Sequence, residues 1–388
     1  MILGQSPPSS SYNTEKIGLP FFQGKAEFTD LHPIISKWCN APKKIAEPND
    51  VLISVRAPVG ATNVADHICC IGRGLAALRT KNHKYLFYFL RSIEHEIDEL
   101  GTGTTFRAIA GDTLKNISLP IPPEIEQQQI VEKIEELFSE LDAGRRQLET
   151  VSQQLKTYRQ SVLKYAFEGK LTKKNVKNGE LPEGWKVSKI SDIGTVKGGK
   201  RLPKGEIYSE GKTPFPYIRV TDFEHQGINV QKIKYLMPST REKIKNYTIS
   251  KNDVYISIAG SIGITGTIPD LLDGSNLTEN AAKITNLIKV ENKYLSWFLS
   301  SIFGQKQIQH RTIATSQPKL SLFRMETIEI QYPPLHIQNQ IINKIESRLS
   351  ICDKLEETIE ECLQQSEALK QSILKQAFEG KLVKPQNT

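Results

Sequence analysis

The segment from Gly194 to Arg201 comes closer than any other in this sequence to a known phosphate-binding motif. It reads Gly-Thr-Val-Lys-Gly-Gly-Lys-Arg, nearly the P-loop in which backbone N–H groups and a lysine surround phosphates. Arg201 stands where a P-loop needs a magnesium-binding serine or threonine, and the following Leu-Pro-Lys-Gly cannot begin the required helix. We therefore expect no nucleotide site here.

Other patterns for catalysis or metal binding are absent from the sequence. Gly101-Thr-Gly-Thr-Thr lacks the third glycine of a dinucleotide loop, and no two of the seven histidines are spaced i, i+4 around a glutamate. Neither a Gly-x-Ser-x-Gly elbow nor the Asn-Pro-Pro-Tyr or Asp-Pro-Pro-Tyr motif of adenine methyltransferases occurs. The five cysteines are odd in number without Cys-x-x-Cys spacing, which favours buried free thiols over disulfides or zinc. We predict a chain without catalytic activity, bound cofactor or metal.

A long internal repeat determines the order of the chain. Residues 122–173 recur at 333–384, displaced by 211 positions without a gap, and 24 of the 52 residues are identical. The order is therefore variable region, repeat, variable region, repeat.

Apolar residues alternate at steps of four and three through the first repeat, with one vacancy at Gly144, and form a similar but less perfect stripe in the second, which predicts two long helices with a heptad seam. The first seam consists of Ile130, Ile134, Leu137, Leu141, Leu148, Val151, Leu155, Tyr158 and Val162, continuing to Tyr165. The second consists of Ile341, Ile345, Cys352, Leu355, Ile359, Cys362, Leu369 and Ile373. Gly169 and Gly380 are predicted to end the helices. We expect the helices to pair antiparallel, although self-association between molecules would cover the seam equally well.

Short apolar runs broken by glycine predict strands in the second variable region, at 187–196, 217–220, 254–258 and 262–268, followed by a helix at 294–309. The first region matches it in places: Asn49-Asp-Val-Leu-Ile-Ser-Val resembles Asn252-Asp-Val-Tyr-Ile-Ser-Ile, and 85–97 matches the helix. No counterpart of 181–196 precedes Gly4, so the first region is expected to lack its opening strand.

We predict an α+β protein in which two mixed α/β domains, at 1–122 and 171–334, are separated by a long antiparallel two-helix coiled coil. Its helices belong to the repeats at 123–170 and 335–388.

Positive charge is concentrated in the variable regions. The net charge of +8 divides into +2 for 1–122, −2 for 123–170, +9 for 171–334 and −1 for 335–388. This distribution is expected if the variable regions contact nucleic acid and the repeats contact protein, although a lysine-rich solvated surface would look the same. No signal sequence or run of eighteen apolar residues occurs, so we expect a cytoplasmic protein.

These features resemble the specificity subunit of type I restriction-modification enzymes. The resemblance rests on Gly101-Thr-Gly-Thr-Thr-Phe-Arg, Ile117-Ser-Leu-Pro-Ile-Pro-Pro with Gln127 to Ile130, Leu181-Pro-Glu-Gly-Trp, and the two Ala-Phe-Glu-Gly-Lys-Leu closings. It covers essentially the whole chain. It implies two target-recognition domains that each read one half of a split, asymmetric DNA sequence, helices that set the spacing, and methyltransferase subunits that dock on the helices.

The resemblance also implies a subunit without catalysis of its own. S-adenosylmethionine would be used by the methyltransferase subunits, and ATP and magnesium by a restriction subunit if one is present. The alternative is a coiled-coil scaffold whose heads bind protein.

Basic and polar residues in the loops punctuated by glycine and proline are the candidates for DNA contact, since arginine and lysine suit phosphates and guanine, and glutamine suits adenine. In the first domain they are Gln5, Ser10, Gln23, Lys25, Arg56, Thr104, Thr105 and Arg107. In the second they are Lys197, Lys200, Arg201, Arg219, Thr221, Ser261, Arg311, Gln317 and Lys319.

Overall fold

The computed structural model describes residues 1–103, 107–173, 176–177, 179–313 and 318–383. It divides into two compact units. Unit 1 comprises Met1–Glu149 with Glu360–Thr388, and unit 2 comprises Thr150–Ile359. The units therefore cut across both predicted helical repeats, because one half of each long helix packs into each unit. None of the helices in the described part of the chain is long and apolar enough to cross a membrane.

Unit 1 contains two sheets of short strands. The first is antiparallel, in the order Ile2–Leu3, Leu75–Leu78, Val51–Ser54, Thr62–Val64. The second has the order Tyr12–Asn13, Trp38–Cys39, Leu19–Phe22, Cys69–Ile71, Ile45–Ala46. Its Leu19–Phe22 and Cys69–Ile71 strands are parallel. The shorter helices and 3-10 turns are Ser9–Ser11, Lys25–Glu27, His83–Ser92, Glu94–Glu99 and Gly111–Lys115.

Unit 2 repeats this arrangement with additions. Its antiparallel sheet has the order Thr195–Gly198, Ala281–Thr285, Val254–Ser257, Thr265–Thr267. A second sheet has the order Lys234–Tyr235, Pro216–Ile218, Asn276–Leu277, the last two being parallel. Two further pairs are Lys186–Lys189 with Glu329–Tyr332, and Phe223–Glu224 with Gly227–Ile228. The shorter helices and 3-10 turns are Ile190–Ile193, Val220–Asp222, Val230–Lys232, Pro238–Lys243, Asp270–Leu272, Asn292–Ser300, Ile302–Arg311 and Leu322–Glu326.

Two predicted elements of unit 2 are interrupted. The strand predicted at 187–196 contains a helical turn, because Asp192 accepts a hydrogen bond from the Lys189 N–H at 3.0 Å and the turn buries Ile190 and Ile193. The helix predicted at 294–309 breaks at Ser301, whose hydroxyl accepts a hydrogen bond from the Gly304 N–H at 3.4 Å and so caps a new helix.

The first variable region has part of the opening strand that it was expected to lack. Ile2–Leu3 pairs with Ala76 and Ala77 at the sheet edge, the position that Thr195–Gly198 occupies in unit 2. The ladder between Lys186–Lys189 and Glu329–Tyr332 has no counterpart among the described residues of unit 1.

The two long helices span Glu124–Phe167 and Leu335–Phe378, 44 residues each. Gly169 and Gly380 follow them with φ of +76° and +72°, so the predicted glycine ends are confirmed. Each end is closed in the same way, since the N–H groups of Lys170 and Lys381 donate to carbonyls five residues back, both at 2.9 Å.

The long helices pair antiparallel in each unit, as predicted. In unit 1, Lys370 of the second helix donates to Asp142 of the first at 2.6 Å. In unit 2, Arg159 of the first helix donates to Asp353 of the second at 2.6 Å and to Glu356. The two ion pairs correspond under the 211-residue offset, with the basic residue on the opposite helix in each case.

Part of the predicted seam is wrong. Val151, Tyr158, Leu355 and Leu369 are 40%, 44%, 44% and 48% exposed, and Tyr165 is exposed as well. In this half of the first helix the packed side runs through Leu155, half-buried Arg159, Val162 and Ala166, because a straight helix has 3.6 residues per turn and drifts away from a strict heptad.

The other predicted seam residues lie on the packed side. Ile130, Ile134, Leu155, Val162, Ile341, Ile345, Cys352, Ile359 and Ile373 are buried, and Leu137, Leu141, Leu148 and Cys362 are half-buried.

Matched polar contacts hold the start of each long helix in the unit that contains it. They join a tyrosine hydroxyl to a backbone carbonyl, a buried glutamine near the helix start to another carbonyl, and a lysine to a helix glutamate. In unit 1 the pairs are Tyr85–Pro120 at 2.9 Å, Gln127–Pro122 at 2.8 Å and Lys84–Glu135 at 2.8 Å. In unit 2 they are Tyr294–Gln331 at 2.9 Å, Gln338–Pro333 at 2.8 Å and Lys293–Glu346 at 2.8 Å.

Candidate functional site

A basic cleft of about 610 Å³ lies at one edge of the sheets in unit 1. It brings together three of the predicted contact residues, Gln23, Lys25 and Arg56, with Arg73. Lys25 lies 3.5 Å from Glu94, whereas neither Arg56 nor Arg73 forms an ion pair within the described residues. Two arginines without carboxylate partners in one cleft favour the binding of an anion.

The parallel strands of unit 1 explain why these residues meet. Phe21 pairs with Cys70 and Phe22 with Ile71, so both strands end at the same edge of the sheet. Gln23 follows one strand and Arg73 follows the other within a Gly-Arg-Gly turn. A side chain at Gly74 would lie 2.2 Å from the Gln23 carbonyl oxygen, so this close approach requires glycine.

A short hairpin lies beside this cleft. Thr102 and Ala108 exchange two backbone hydrogen bonds of 2.9 Å, and Arg56 bridges to Ala108. The predicted contact residues Thr104 and Thr105 lie outside the described residues. Arg107 is exposed and donates to Asp98 at 2.9 Å.

The remaining two candidates of unit 1 are exposed but do not line the cleft. Ser10 lies in the 3-10 turn Ser9–Ser11. The Gln5 N–H donates to Ile71 at 3.1 Å, and the hydroxyl of the adjacent Ser6 accepts a hydrogen bond from the Arg73 N–H at 3.1 Å. These contacts place Gln5 beside the Arg73 turn.

Unit 2 has the same parallel-strand edge, but Arg219, the arginine at that edge, forms an ion pair within the unit. Arg219 follows the Pro216–Ile218 strand and donates two hydrogen bonds, at 3.0 and 2.6 Å, to the fully buried Asp222 and a third to the Lys232 carbonyl. The hydrogen bond to Asp222 raises the pKa of the guanidinium. Arg219 therefore neutralises the buried Asp222 carboxylate, which would lose this partner if the guanidinium moved away.

Lys200 and Arg201 form the exposed basic pair of unit 2. The Lys200 ammonium lies 5.5 Å from the centroid of the Tyr247 ring. The backbone carbonyl of Lys200 accepts a hydrogen bond from the Tyr217 hydroxyl at 2.8 Å. Burial raises the pKa of Tyr217 to about 12, so this phenol stays protonated as a donor. Arg201 is highly exposed and pairs with Glu279 at 3.0 Å. Both cations thus point to solvent with their backbone fixed.

The segment that resembles a P-loop folds as an edge strand, Thr195–Gly198. Gly199 is needed for close packing, since a side chain there would lie 2.0 Å from the Thr278 carbonyl oxygen.

The structure separates the other candidates of unit 2. Arg311 donates to the Thr327 hydroxyl and carbonyl, both at 2.9 Å, so its guanidinium packs against its own unit. Lys197, Thr221, Ser261 and Lys319 are exposed. Lys319 bridges to Ala259 and Ile313, in the position that Ala108 has in unit 1. Gln317 lies outside the described residues.

Arg73 is the cleft residue that the sequence analysis missed. The signal is present in Ile71-Gly-Arg-Gly-Leu75, where one arginine between two glycines interrupts two buried strands. A charged residue in such a tight turn must point to solvent, beside the other residues at that sheet edge.

Four of the five cysteines, Cys39, Cys69, Cys70 and Cys352, are buried free thiols, and Cys362 is half-buried. Burial raises the pKa of Cys69 to about 12. No cluster of three or more potential metal ligands occurs in the part of the chain that the structure describes.

The chain is similar to one family of proteins along most of its length. The family described as the type I restriction modification DNA specificity domain matches residues 4–150 and 182–365. The putative type I restriction enzyme MjaX specificity subunit of Methanocaldococcus jannaschii is 39% identical over 175 residues, 44% of this chain and 40% of that subunit. The Escherichia coli EcoKI specificity subunit is 25% identical over 384 residues, 92% of this chain and 80% of that subunit.

Solved structures share the fold. A chain from the study "Structural basis underlying complex assembly and conformational transition of the type I R-M system" superposes with a TM-score of 0.79 at 18% identity, covering 98% of this chain and 95% of that chain. The HsdS subunit of Thermoanaerobacter tengcongensis superposes with a TM-score of 0.59 at 19% identity, covering 94% of this chain and 90% of that subunit.

Proposed function

The chain belongs to the type I restriction-modification DNA specificity family, and from this premise we propose that its two units each read one half of a bipartite, asymmetric DNA sequence. The observation that carries the proposal is the edge of the parallel strands. The same backbone arrangement occurs in both units, with Arg56 and Arg73 presented in unit 1 and Lys200 and Arg201 presented in unit 2. A constant scaffold with different polar side chains at one edge suits two different half-sites.

A salt series tests this proposal against a scaffold whose heads bind protein. If the cations neutralise phosphates, the logarithm of DNA affinity falls linearly with the logarithm of salt concentration, by about 0.9 for each phosphate. Methylation-sensitive sequencing of the host genome should then show a split motif. A chain without affinity for any duplex at low salt would support the scaffold instead.

In this proposal the long helices set the gap between the half-sites. Deleting Leu148–Gln154 together with Ile359–Gln365, which correspond under the 211-residue offset, removes about two turns and nearly preserves the buried stripe. It shortens each helix by roughly 10 Å at 1.5 Å per residue. At about 3.4 Å per base pair, the preferred gap should contract by up to about three base pairs. A folded variant that still selects the original gap contradicts a measuring role.

Catalysis belongs to partners in this proposal. The chain acts in the cytoplasm as a non-catalytic subunit, and methyltransferase subunits that use S-adenosylmethionine dock on its helices. A restriction subunit that uses ATP and magnesium joins them where one is present. Methyl transfer to DNA should be absent from the purified chain and appear when methyltransferase subunits are added, and robust transfer by the chain alone would contradict this role.

A further inference from the structure

The carboxylate of Asp98 joins two segments of unit 1 that lie beside the basic cleft. Asp98 lies in the helix Glu94–Glu99 and accepts a hydrogen bond from the Val59 N–H at 3.2 Å. Its other oxygen accepts a hydrogen bond from the Arg107 guanidinium at 2.9 Å. One half-buried side chain therefore ties the loop that follows Arg56 and the second arm of the hairpin to the same helix.

Both segments that Asp98 holds lead to Arg56. The Arg107 carbonyl accepts a hydrogen bond from the N–H of Ala57, the residue after Arg56, at 2.9 Å. Arg56 itself bridges to Ala108, the residue after Arg107. The loop and the hairpin arm on either side of Arg56 thus share one carboxylate. This arrangement fixes the backbone from which the exposed Arg56 side chain lines the cleft.

The same hairpin forms in unit 2 without the ion pair. Lys319 bridges to both Ile313 and Ala259, so the two arms and the neighbouring loop are joined as in unit 1. The 211-residue offset places Gln309 and Pro318 at the two positions of the ion pair, and neither side chain carries a charge. Formation of the hairpin therefore does not depend on the ion pair.

The ion pair occurs in the unit that presents an arginine at this position of the cleft. Where unit 1 has Arg56, unit 2 has Ala259, which has no charged group to orient. Arg56 and both members of the Asp98–Arg107 pair thus differ together between the two copies. A carboxylate beside a cleft for a polyanion weakens the electrostatic attraction. The presence of Asp98 at this place indicates that it has a task other than binding.

We propose that Asp98 is a positioning residue for the half-site that unit 1 reads: it contacts no DNA and orients Arg56, with Arg107 as the connecting residue. The inference rests on the proposed function for the identity of the ligand, and adds the residue that sets the geometry of the cleft. Fixing the Arg56 backbone before DNA arrives removes part of the ordering cost from the binding step. Arg107, predicted from the sequence as a DNA contact, acts through Arg56 and not on a phosphate of its own.

A double-mutant cycle on the full chain tests whether Asp98 acts through Arg56. The probe is a duplex with the split motif that the wild-type chain selects from a randomised library. Asp98→Ala should weaken its binding about tenfold, as expected when a charge-assisted hydrogen bond to the ligand is lost. In an Arg56→Gln background the same change should weaken binding by less than about twofold. A general loss of stability would weaken binding equally in both backgrounds and overturn the proposal.

The matched control is Glu96→Ala. Glu96 is exposed on the same helix, and its removal changes the net charge of the chain by the same amount. Binding of the probe should not weaken in this variant. Equal weakening by Glu96→Ala and Asp98→Ala would overturn the proposal, because any carboxylate of this helix would then serve.

The salt dependence of Arg107 variants separates positioning from contact. Arg107→Gln should reduce the slope of log affinity against log salt by about 0.9, because the Arg56 contact with one phosphate is lost. Arg107→Lys can keep the ion pair and should retain the wild-type slope. In the Arg56→Gln background, Arg107→Gln should reduce the slope no further. A further fall of about 0.9 would show that Arg107 binds a phosphate itself, which contradicts its positioning role.

The selected motif separates this inference from the proposed function. In selection from the randomised library, Asp98→Ala should relax the base preference in one half of the split motif and leave the other half unchanged. A motif identical to that of wild type, or relaxed in both halves, overturns the role of Asp98 while sequence reading stands. Selection of no split motif by the wild-type chain overturns the proposed function itself, and the inference with it.

Discussion

Units 1 and 2 share their supporting contacts and differ in the side chains at the edge of their parallel strands. Tyr85 and Tyr294 make the same hydrogen bond, and so do Gln127 and Gln338. The sheet position of Arg56 in unit 1 is that of Ala259 in unit 2, because each bridges to the equivalent residue of its hairpin. Contacts that hold the fold are kept through the duplication, and the side chains at this edge have diverged.

The largest expected effect concerns the phenylalanine that ends each long helix. Phe167 is fully buried, with Tyr294 and Phe298 at ring distances of 5.3 Å, whereas its counterpart Phe378 is only half-buried. Phe167→Ala should lower the free energy of unfolding by about 3–5 kcal/mol, as for buried aromatic truncations generally, and Phe378→Ala by less. Urea unfolding with hydrogen exchange resolved by unit measures both. Equal losses of unfolding free energy would mean that the two phenylalanines stabilise their units equally.

The buried glutamines near the helix starts should have the next largest effect. Gln338 donates to the Lys289 and Pro333 carbonyls and accepts from the Glu291 N–H, so its removal leaves three backbone groups without a partner. Gln338→Ala should cost about 1–3 kcal/mol in thermal or urea unfolding.

The matched variant in unit 1 is Gln127→Ala. It should cost less, because one of the two partners of Gln127 is the side chain of Asn82, which can turn to water. Gln364→Ala on an exposed helix position serves as the neutral control, and a larger loss for Gln127→Ala than for Gln338→Ala would reverse the comparison.

Salt dependence should distinguish the free from the occupied cations. Arg56→Gln with Arg73→Gln should reduce the slope of log affinity against log salt by about two, at about 0.9 for each lost phosphate contact. Lys200→Gln with Arg201→Gln should reduce it by less, since Arg201 is paired with Glu279.

Arg311→Gln is the control for this series. Its guanidinium is held by Thr327, so the slope should stay at the wild-type value. A slope unchanged by Arg56→Gln with Arg73→Gln would remove the cleft of unit 1 from the DNA interface.

The smallest expected effect is the pH dependence of unit 1. Burial raises the pKa of Asp50, but its hydrogen bonds with Arg79 and the Glu47 N–H outweigh burial and hold the pKa below its ordinary value. The carboxylate therefore stabilises the fold above about pH 4, and this stabilisation is lost as the pH falls through the lowered pKa. Asp50→Asn should be less stable than wild type at pH 7, with a difference that shrinks at pH 3. A difference that grows on acidification would contradict the sign.

Regular, repeated features could be predicted from the sequence. The helices, their glycine ends and their antiparallel order follow from apolar periodicity and from one 211-residue offset. The register of the seam did not follow, because a heptad and a 3.6-residue period diverge by about 20° per heptad, and Tyr158 therefore leaves the interface. Half-buried polar residues such as Arg159 then lie on the packed side and form ion pairs that no apolar pattern reveals.

The contact residues could be predicted only as a class. The sequence identifies loop cations, but it does not show which have partners within the fold. Arg219 is bound to Asp222 only three positions away, yet the same spacing occurs in solvent-exposed turns. Arg311 is held by a residue sixteen positions later. Arg73 was missed because its importance depends on a parallel neighbour strand that is distant in sequence.

The division of the chain into units has a consequence for biosynthesis. Unit 2 is one continuous stretch, whereas unit 1 needs residues from both sides of it: the ion pair of Asp142 with Lys370 joins positions 228 residues apart. A chain emerging from the ribosome can complete unit 2 as soon as Ile359 is exposed. The side of residues 124–149 that packs against residues 360–378 must meanwhile remain uncovered, and exposed apolar surface of this kind favours chaperone binding and misassembly. Slow translation of the codons for residues 360–388 should therefore lower the soluble yield more than equal slowing within unit 2.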